Sequence, residues 1–320
     1  MTELGNEGGA GRVRRFRSLF APLPLLQRNE ERWFWFFVAP FLAGFLLFAL
    51  VPLIASFVLS FMDWNLRGTP KIVGLENYAD LVDLEGKGRL VLKAFTNTAM
   101  ITIIAVPLQL MIGLGFAVLL NQKVRGMPLY RMAFYLPTVV SGVATAALWT
   151  FILGSQGLLN NALGLLGIAG PAWFNEPESV RWGIILMVTW AGTGGMTLIF
   201  LAGLQQISKE LLEAAQCDGA SRLRRFFSVS LPLLSPTLFF NLVIGLIGGL
   251  SLFTEPYVVS SGDGGPANES MSVALLIYRL LIRNLDFGFG SAVAWLLTAV
   301  VMLLTILNFK LSRRWVFYDN

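Results

Sequence analysis

Residues 182–204 read WGIILMVTWAGTGGMTLIFLAGL, a run of 23 positions without an Asp, Glu, Lys or Arg. At about 1.5 Å of rise per helical residue, this run is long enough to cross a hydrocarbon layer about 30 Å thick. A helix also satisfies its own peptide groups, which the inside of a bilayer demands. Five further charge-free apolar runs accompany it, at about 33–60, 97–120, 134–153, 231–253 and 291–309. The reading is therefore an all-α, polytopic membrane protein with six transmembrane helices. Two shorter apolar stretches, 157–172 and 271–282, do not add to the count. The first carries Asn160, Asn161 and several glycines and the second is too short, so both suit interfacial or re-entrant helices.

Composition agrees, because the 320 residues are 55% hydrophobic and 13% charged, with a mean hydropathy of +0.67. Residues 1–32 are polar and contain six arginines. They run into a full-length span with no small-residue cleavage site, so they are expected to be a cytoplasmic tail rather than a signal peptide. With the N-terminus inside, the inner segments hold 16 Lys and Arg and the outer segments 8. Positively charged loops stay on the cytoplasmic side, so both termini and the loop 205–230 are placed there. The spans occupy 33–311, and 312–320 form a short second tail. The net charge of +5 and the pI near 9.6 follow from this topology and do not call for a nucleic-acid partner. The single cysteine, Cys217, has no internal partner for a disulfide.

What the runs lack narrows the function. The chain contains no histidine, and none of the six runs contains an ionisable residue. Ion-coupled carriers keep Asp, Glu or His at membrane depth, and intramembrane metalloenzymes need such ligands. A Ser or Thr nucleophile would have no base there. No metal site and no catalytic residue is expected. A nucleotide-binding loop is missing too. Gly86-Lys87 is followed by Gly88 where Ser or Thr is required, and Leu81 stands where the first glycine should be. If transport is powered, the power comes from another chain.

The loop 205–230 reads as two short helices joined by a turn. Ser208 suits the first N-cap with Glu210 in the first turn, and Gly219 supplies the left-handed position that ends that helix. Ser221 suits the second N-cap, ahead of Arg222, Arg224 and Arg225. Leu211, Leu212, Ala214 and Ala215 offer an apolar surface that a partner backbone can approach closely, as a helix does in a groove.

Glu213-Ala214-Ala215, Gly219, Val229 and Leu231-Pro232 at this spacing resemble the EAA motif of binding-protein-dependent ABC importer permeases, and Asp218 and Ala220 match its fuller form. Val229 stands where isoleucine is usual. The resemblance runs from about 33 to 318 and is nearest to permeases of carbohydrate uptake systems of the maltose and glycerol-phosphate kind. Val38-Ala39-Pro40, Gly74-Leu75-Glu76-Asn77-Tyr78, Asn97-Thr98, Tyr135-Leu136-Pro137 and Trp190 support it. It implies a six-helix permease core whose EAA loop docks an ATPase. It also implies a second permease subunit, two ATP-binding-cassette ATPase subunits and an extracytoplasmic solute-binding protein as partners. ATP and Mg would then be held by the ATPases, with no cofactor in this chain. The place implied is the cytoplasmic membrane of a bacterium or archaeon. A secondary carrier or uniporter is the other class of transporter, and glycerol-phosphate-type solutes are the other cargo.

A sugar pathway needs room, hydroxyl or amide partners and an apolar face. Trp190 beside Gly192, Thr193 and Gly195, Gly245 with Gly248 and Gly249, and Phe253 at the outer end of the fifth run are the candidates. The same small residues also suit close helix packing. Pro40, Pro52, Pro107 and Pro137 read as kinks, and Arg279 and Arg283 as side chains snorkelling at the interface.

Overall fold

The computed structural model describes residues 25–317 except for 67 and 123. Apart from the two-residue pairing of β1 (Met62–Asp63) with β2 (Lys71–Ile72), the described secondary structure is helical. The described residues divide into two compact units, which part between Ser56 and Phe57.

In the first unit, α1 (Leu25–Phe45) begins within the stretch expected to be tail, and residues 1–24 of that tail lie outside the described residues. Trp33, Phe34, Trp35, Phe36 and Phe37 are all more than half exposed, as an aromatic belt at a membrane interface would be. A wide π turn, Leu46–Leu50, leads into α2 (Val51–Leu59), where the N–H of Val51 reaches back to the carbonyl of Leu46. Pro52 follows at once. Proline lacks an N–H and its ring crowds the carbonyl one turn back, and a widened turn relieves that crowding. The same device recurs at Phe226–Ser230, where the N–H of Leu231 bonds to Phe226 just before Pro232.

The second unit contains α3 (Glu76–Val82), α4 (Gly88–Leu120), α5 (Met127–Val139), α6 (Gly142–Ile152), α7 (Leu158–Leu165) and α8 (Val180–Gln206). There follow α9 (Lys209–Cys217), α10 (Arg222–Arg225), α11 (Leu231–Leu233), α12 (Ser235–Leu250), α13 (Thr254–Ser260), α14 (Val273–Tyr278) and α15 (Phe287–Ser312). The 33-residue α4 is the spine, because it enters each of three buried clusters. Val91 and Ala94 pack with Met271, Leu275 and Phe289. Ile101 and Ala105 pack with Ile184 and Val188. Ala117 and Leu120 pack with Phe200 and Leu204. At Gly113 an added Cβ would lie 3.1 Å from Cβ of Met196 and 3.3 Å from the backbone nitrogen of Thr197, so a small residue sets how closely α4 and α8 cross.

Among the described residues, five helical segments are long and apolar enough to cross a membrane, namely Glu30–Leu59, Gly88–Leu120, Val180–Gln206, Ser235–Ser260 and Phe287–Ser312. The expected third span, 134–153, is corrected, because it is not one helix. α5 and α6 meet at a bend of 100° and count as a sixth span only if the bent pair is one crossing. Val140 is extended at the break, and Ser141 starts a new helix by accepting a hydrogen bond from the N–H of Ala144. An unbroken apolar run hid this because serine and glycine interrupt it without adding charge. The stretch 157–172 is no span, since α7 has 8 residues and the chain folds back on it. Asn160 donates to the Pro171 carbonyl at 3.0 Å and accepts from the Trp173 indole at 2.9 Å.

Polar residues hold one end of the helices together. The Asn77 amide donates to the carbonyls of Ser60 (3.0 Å) and Met62 (2.9 Å). The Asn97 amide donates to those of Asn268 (2.8 Å) and Met271 (3.1 Å), and Thr98 accepts from the N–H of Val273. Glu269 is nearly buried between Lys93 on α4 and Arg181 on α8, the latter pair at 3.2 Å. Breaking a fully buried ion pair by removing one partner costs about 3–5 kcal/mol, and the partial exposure of both cations here lowers that figure. Within the stretch 271–282, Met271, Val273 and Leu275 are fully buried, and the arginines beyond them face a loop. Arg279 donates to the carbonyl of Asp263 at 3.2 Å, while Arg283 pairs with the Asp263 carboxylate and donates to the carbonyl of Ser261 at 2.8 Å.

Candidate functional site: an exposed helix-turn-helix and a membrane cavity

The first candidate is the loop that follows α8. The Ser208 hydroxyl accepts from the N–H of Glu210 at 3.2 Å and opens α9. At its other end Gly219 has φ +78°, its N–H bonds to the carbonyl of Gln216, and that of Ala220 bonds to Ala215. These two bonds form a Schellman motif, which satisfies the last carbonyls of the helix. Ser221 then accepts from the N–H of Arg224 at 3.3 Å and opens α10. The Arg225 guanidinium bridges the two helices through Gln216 Oε1 at 2.7 Å. Glu213, Ala214, Asp218 and Gly219 are exposed, whereas Ala215, Ala220 and Leu212 are half-buried. The apolar face therefore differs from the one expected. Leu211 and Ala214 belong to it, and so do Leu223 (72% exposed) and Phe227 (61% exposed), which lie just beyond the turn and were not singled out.

The second candidate is a cavity of about 410 Å³ lined by residues of α4, α8, α12 and α13, together with Leu252. Gly192, Gly195, Gly245, Gly248 and Gly249 line it. Trp190, Thr193 and Phe253 do not. Trp190 lies edge-on to Trp149 at 6.0 Å between centroids. Thr193 is buried and returns its hydroxyl proton to the carbonyl of Thr189 at 2.6 Å. Phe253 joins an aromatic cluster with Tyr257 (5.3 Å) and Tyr278 (5.4 Å). Helical periodicity does not reveal which neighbour a side chain meets, so adjacency to the glycines in sequence does not bring these three into the lining.

The five cavity glycines do different work. An added Cβ at Gly192 would lie 2.6 Å from the Gln109 amide, and one at Gly249 would lie 2.7 Å from the Thr102 methyl. At Gly245 it would meet Met196 and Val106, both at 2.9 Å. Those three positions serve close helix approach. Gly248 has nothing within 4 Å, and Gly195 only the Thr138 methyl at 3.9 Å, so these two face open space.

Four polar side chains complete the lining: Thr102, Gln109, Asn241 and Glu255. Glu255 lies two residues beyond the charge-free run 231–253, in a helical segment that continues through α13 to Ser260. Asn241 and Gln109, polar residues inside charge-free runs, were the available signal for this lining and were not used.

Residues 89–316 match the family described as binding-protein-dependent transport system inner membrane component. A probable ABC transporter permease of Bacillus subtilis, YesP, is 39% identical over 286 residues, covering 89% of this chain and 91% of its own. The lactose transport system permease LacF of Rhizobium radiobacter is 34% identical over 288 residues, covering 87% and 93%. A chain of a bacterial ABC transporter that imports the acidic polysaccharide alginate superimposes with a TM-score of 0.77 at 22% identity, covering 91% of this chain and 98% of that one.

Proposed function

Because this chain belongs to the binding-protein-dependent transport system inner membrane components, we propose that it forms half of the translocation pathway of an ATP-driven importer for a sugar or oligosaccharide. The observation that carries the reading is the exposed α9, ended by Gly219 and bearing Glu213-Ala214-Ala215, in a chain that has no nucleotide-binding loop of its own. An exposed helix with a small-residue face is built to lie in a groove of another subunit. In this reading that subunit is one of two ATPases, which bind ATP and Mg and do the hydrolysis. A second permease completes the pathway, and an extracytoplasmic binding protein delivers the solute. The sugar assignment is supported by relatives such as the lactose permease and by a cavity of apolar walls with amide and hydroxyl groups. Purifying the tagged chain from its native membrane is expected to bring an ATPase and a second permease with it. Uptake by proteoliposomes of that complex should require ATP, and solute entry without ATP or partners would indicate a uniporter instead.

The 16 to 8 distribution of Lys and Arg supports a cytoplasmic position for both termini and for α9, in the inner membrane of a bacterium or archaeon. An impermeant thiol reagent applied to intact cells should leave Cys217 unmodified and should label a cysteine placed at Asp263. Labelling of Cys217 without permeabilisation would reverse the orientation.

A further inference from the structure

Two side chains in the cavity keep polar capacity beyond what the protein itself uses. Asn241 is 1% exposed and its Nδ2 has no acceptor among the described residues. Glu255 is half-buried, lines the same cavity and forms no ion pair among the described residues. The other two polar side chains are already engaged. Gln109 Nε2 donates to the Val188 carbonyl at 2.8 Å, and the Thr102 hydroxyl donates to that of Thr98 at 2.7 Å. Much of the remaining lining is apolar, including Ile101, Val106, Met196 and Ile244, and Glu255 is the only ionisable residue in it. A lone carboxylate against such walls holds a negative potential that solvent screens poorly. A buried amide donor without an acceptor is a cost that a ligand oxygen can remove.

We propose that Glu255 makes this cavity selective for neutral, hydroxyl-rich solutes and against anionic ones, with Asn241 as the complementary donor. This rests on the cavity being the solute pathway. The carboxylate accepts hydrogen bonds from solute hydroxyls, and two adjacent hydroxyls can engage its two oxygens together. Asn241 Nδ2 donates to a hydroxyl, ring or glycosidic oxygen. A uronate, sulfonate or phosphate group entering the cavity meets the Glu255 charge with no cation in the lining to offset it.

The test reads the potential directly and needs no knowledge of the cargo. In the purified importer complex, Cys217→Ser removes this chain's native thiol, and Gly248→Cys places one where an added Cβ meets nothing within 4 Å. Two methanethiosulfonates of similar size, one carrying trimethylammonium and one sulfonate, are reacted with it. Modification of this chain is followed by mass spectrometry, and each rate is divided by that for a free thiol in solution. A low-dielectric cleft of one charge sign changes ion encounter by about tenfold or more, so the corrected cation-to-anion ratio should be about ten or higher. It should fall toward one in Glu255→Gln. A ratio that Glu255→Gln leaves unchanged overturns the proposal, as does a ratio near one with Glu255 intact. Gly195→Cys, also beside open space, repeats the measurement should Gly248→Cys fail to assemble. If assembled complexes carrying either cysteine react with neither reagent, water does not reach the cavity and the proposal falls. Uptake is not the readout, so the importer reading is decided separately by its own ATP-dependent assay.

Discussion

Replacing Gly219 with valine is expected to uncouple transport from ATP hydrolysis while leaving the permease inserted. At φ +78° the residue is in the left-handed region, where a non-glycine residue costs about 1–3 kcal/mol and a β-branched one is at the upper end. Nothing lies within 4 Å of an added Cβ there, so the whole effect acts through the backbone. To escape it the chain must give up the Schellman bonds from Gly219 and Ala220 and swing α10 away from α9. Since about 1.4 kcal/mol is a factor of ten, substrate-stimulated ATP hydrolysis in proteoliposomes should fall tenfold or more in Gly219→Val. Gly219→Asn should be mild, because asparagine tolerates this conformation, and Gly219→Ala should fall between. Equal activity of all three variants would show that the turn is not what positions α9 for a partner.

The second large effect is expected in the cavity. Gly248→Leu puts a branched side chain into the open space of a cavity of about 410 Å³. It should reduce uptake of a labelled substrate at least tenfold, with membrane abundance and ATPase co-purification unchanged. Gly248→Ala should transport normally. Gly249→Leu is the contrast, because its added atoms collide with Thr102 on α4, and overpacking of that kind costs about 1–3 kcal/mol. That variant should lose abundance before it loses transport per molecule. Normal uptake by Gly248→Leu at normal abundance would place the solute pathway elsewhere.

Much of this protein was legible in its residues because the bilayer is an undemanding code to read. A helix must be apolar over its crossing length, so five of the six runs overlap a helical segment long enough to cross. Capping is likewise local chemistry, which is why Ser208, Gly219 and Ser221 could be assigned from the chain alone and are found in those roles. Nothing comparable marks how helices meet. The run 134–153 carries no charge at its midpoint, yet the chain turns through 100° there, because the extended Val140 and the Ser141 cap end one helix and begin another. Trp190 and Phe253 sit beside the cavity glycines in sequence but point to Trp149 and Tyr257.

Amino-acid order by itself determined that this chain crosses a membrane, where its exposed helix-turn-helix lies and which family it resembles. These depend on transfer free energy and on contacts a few residues apart. Only tertiary structure decided that Glu269 joins α4 to α8 through Lys93 and Arg181, and that Glu255 and Asn241 share one cavity while Thr193 is excluded from it. Each of those facts depends on the rotation of one helix against another. A rotation of 100° per residue moves a side chain from lipid to cavity without changing the apolar pattern that put the helix in the membrane.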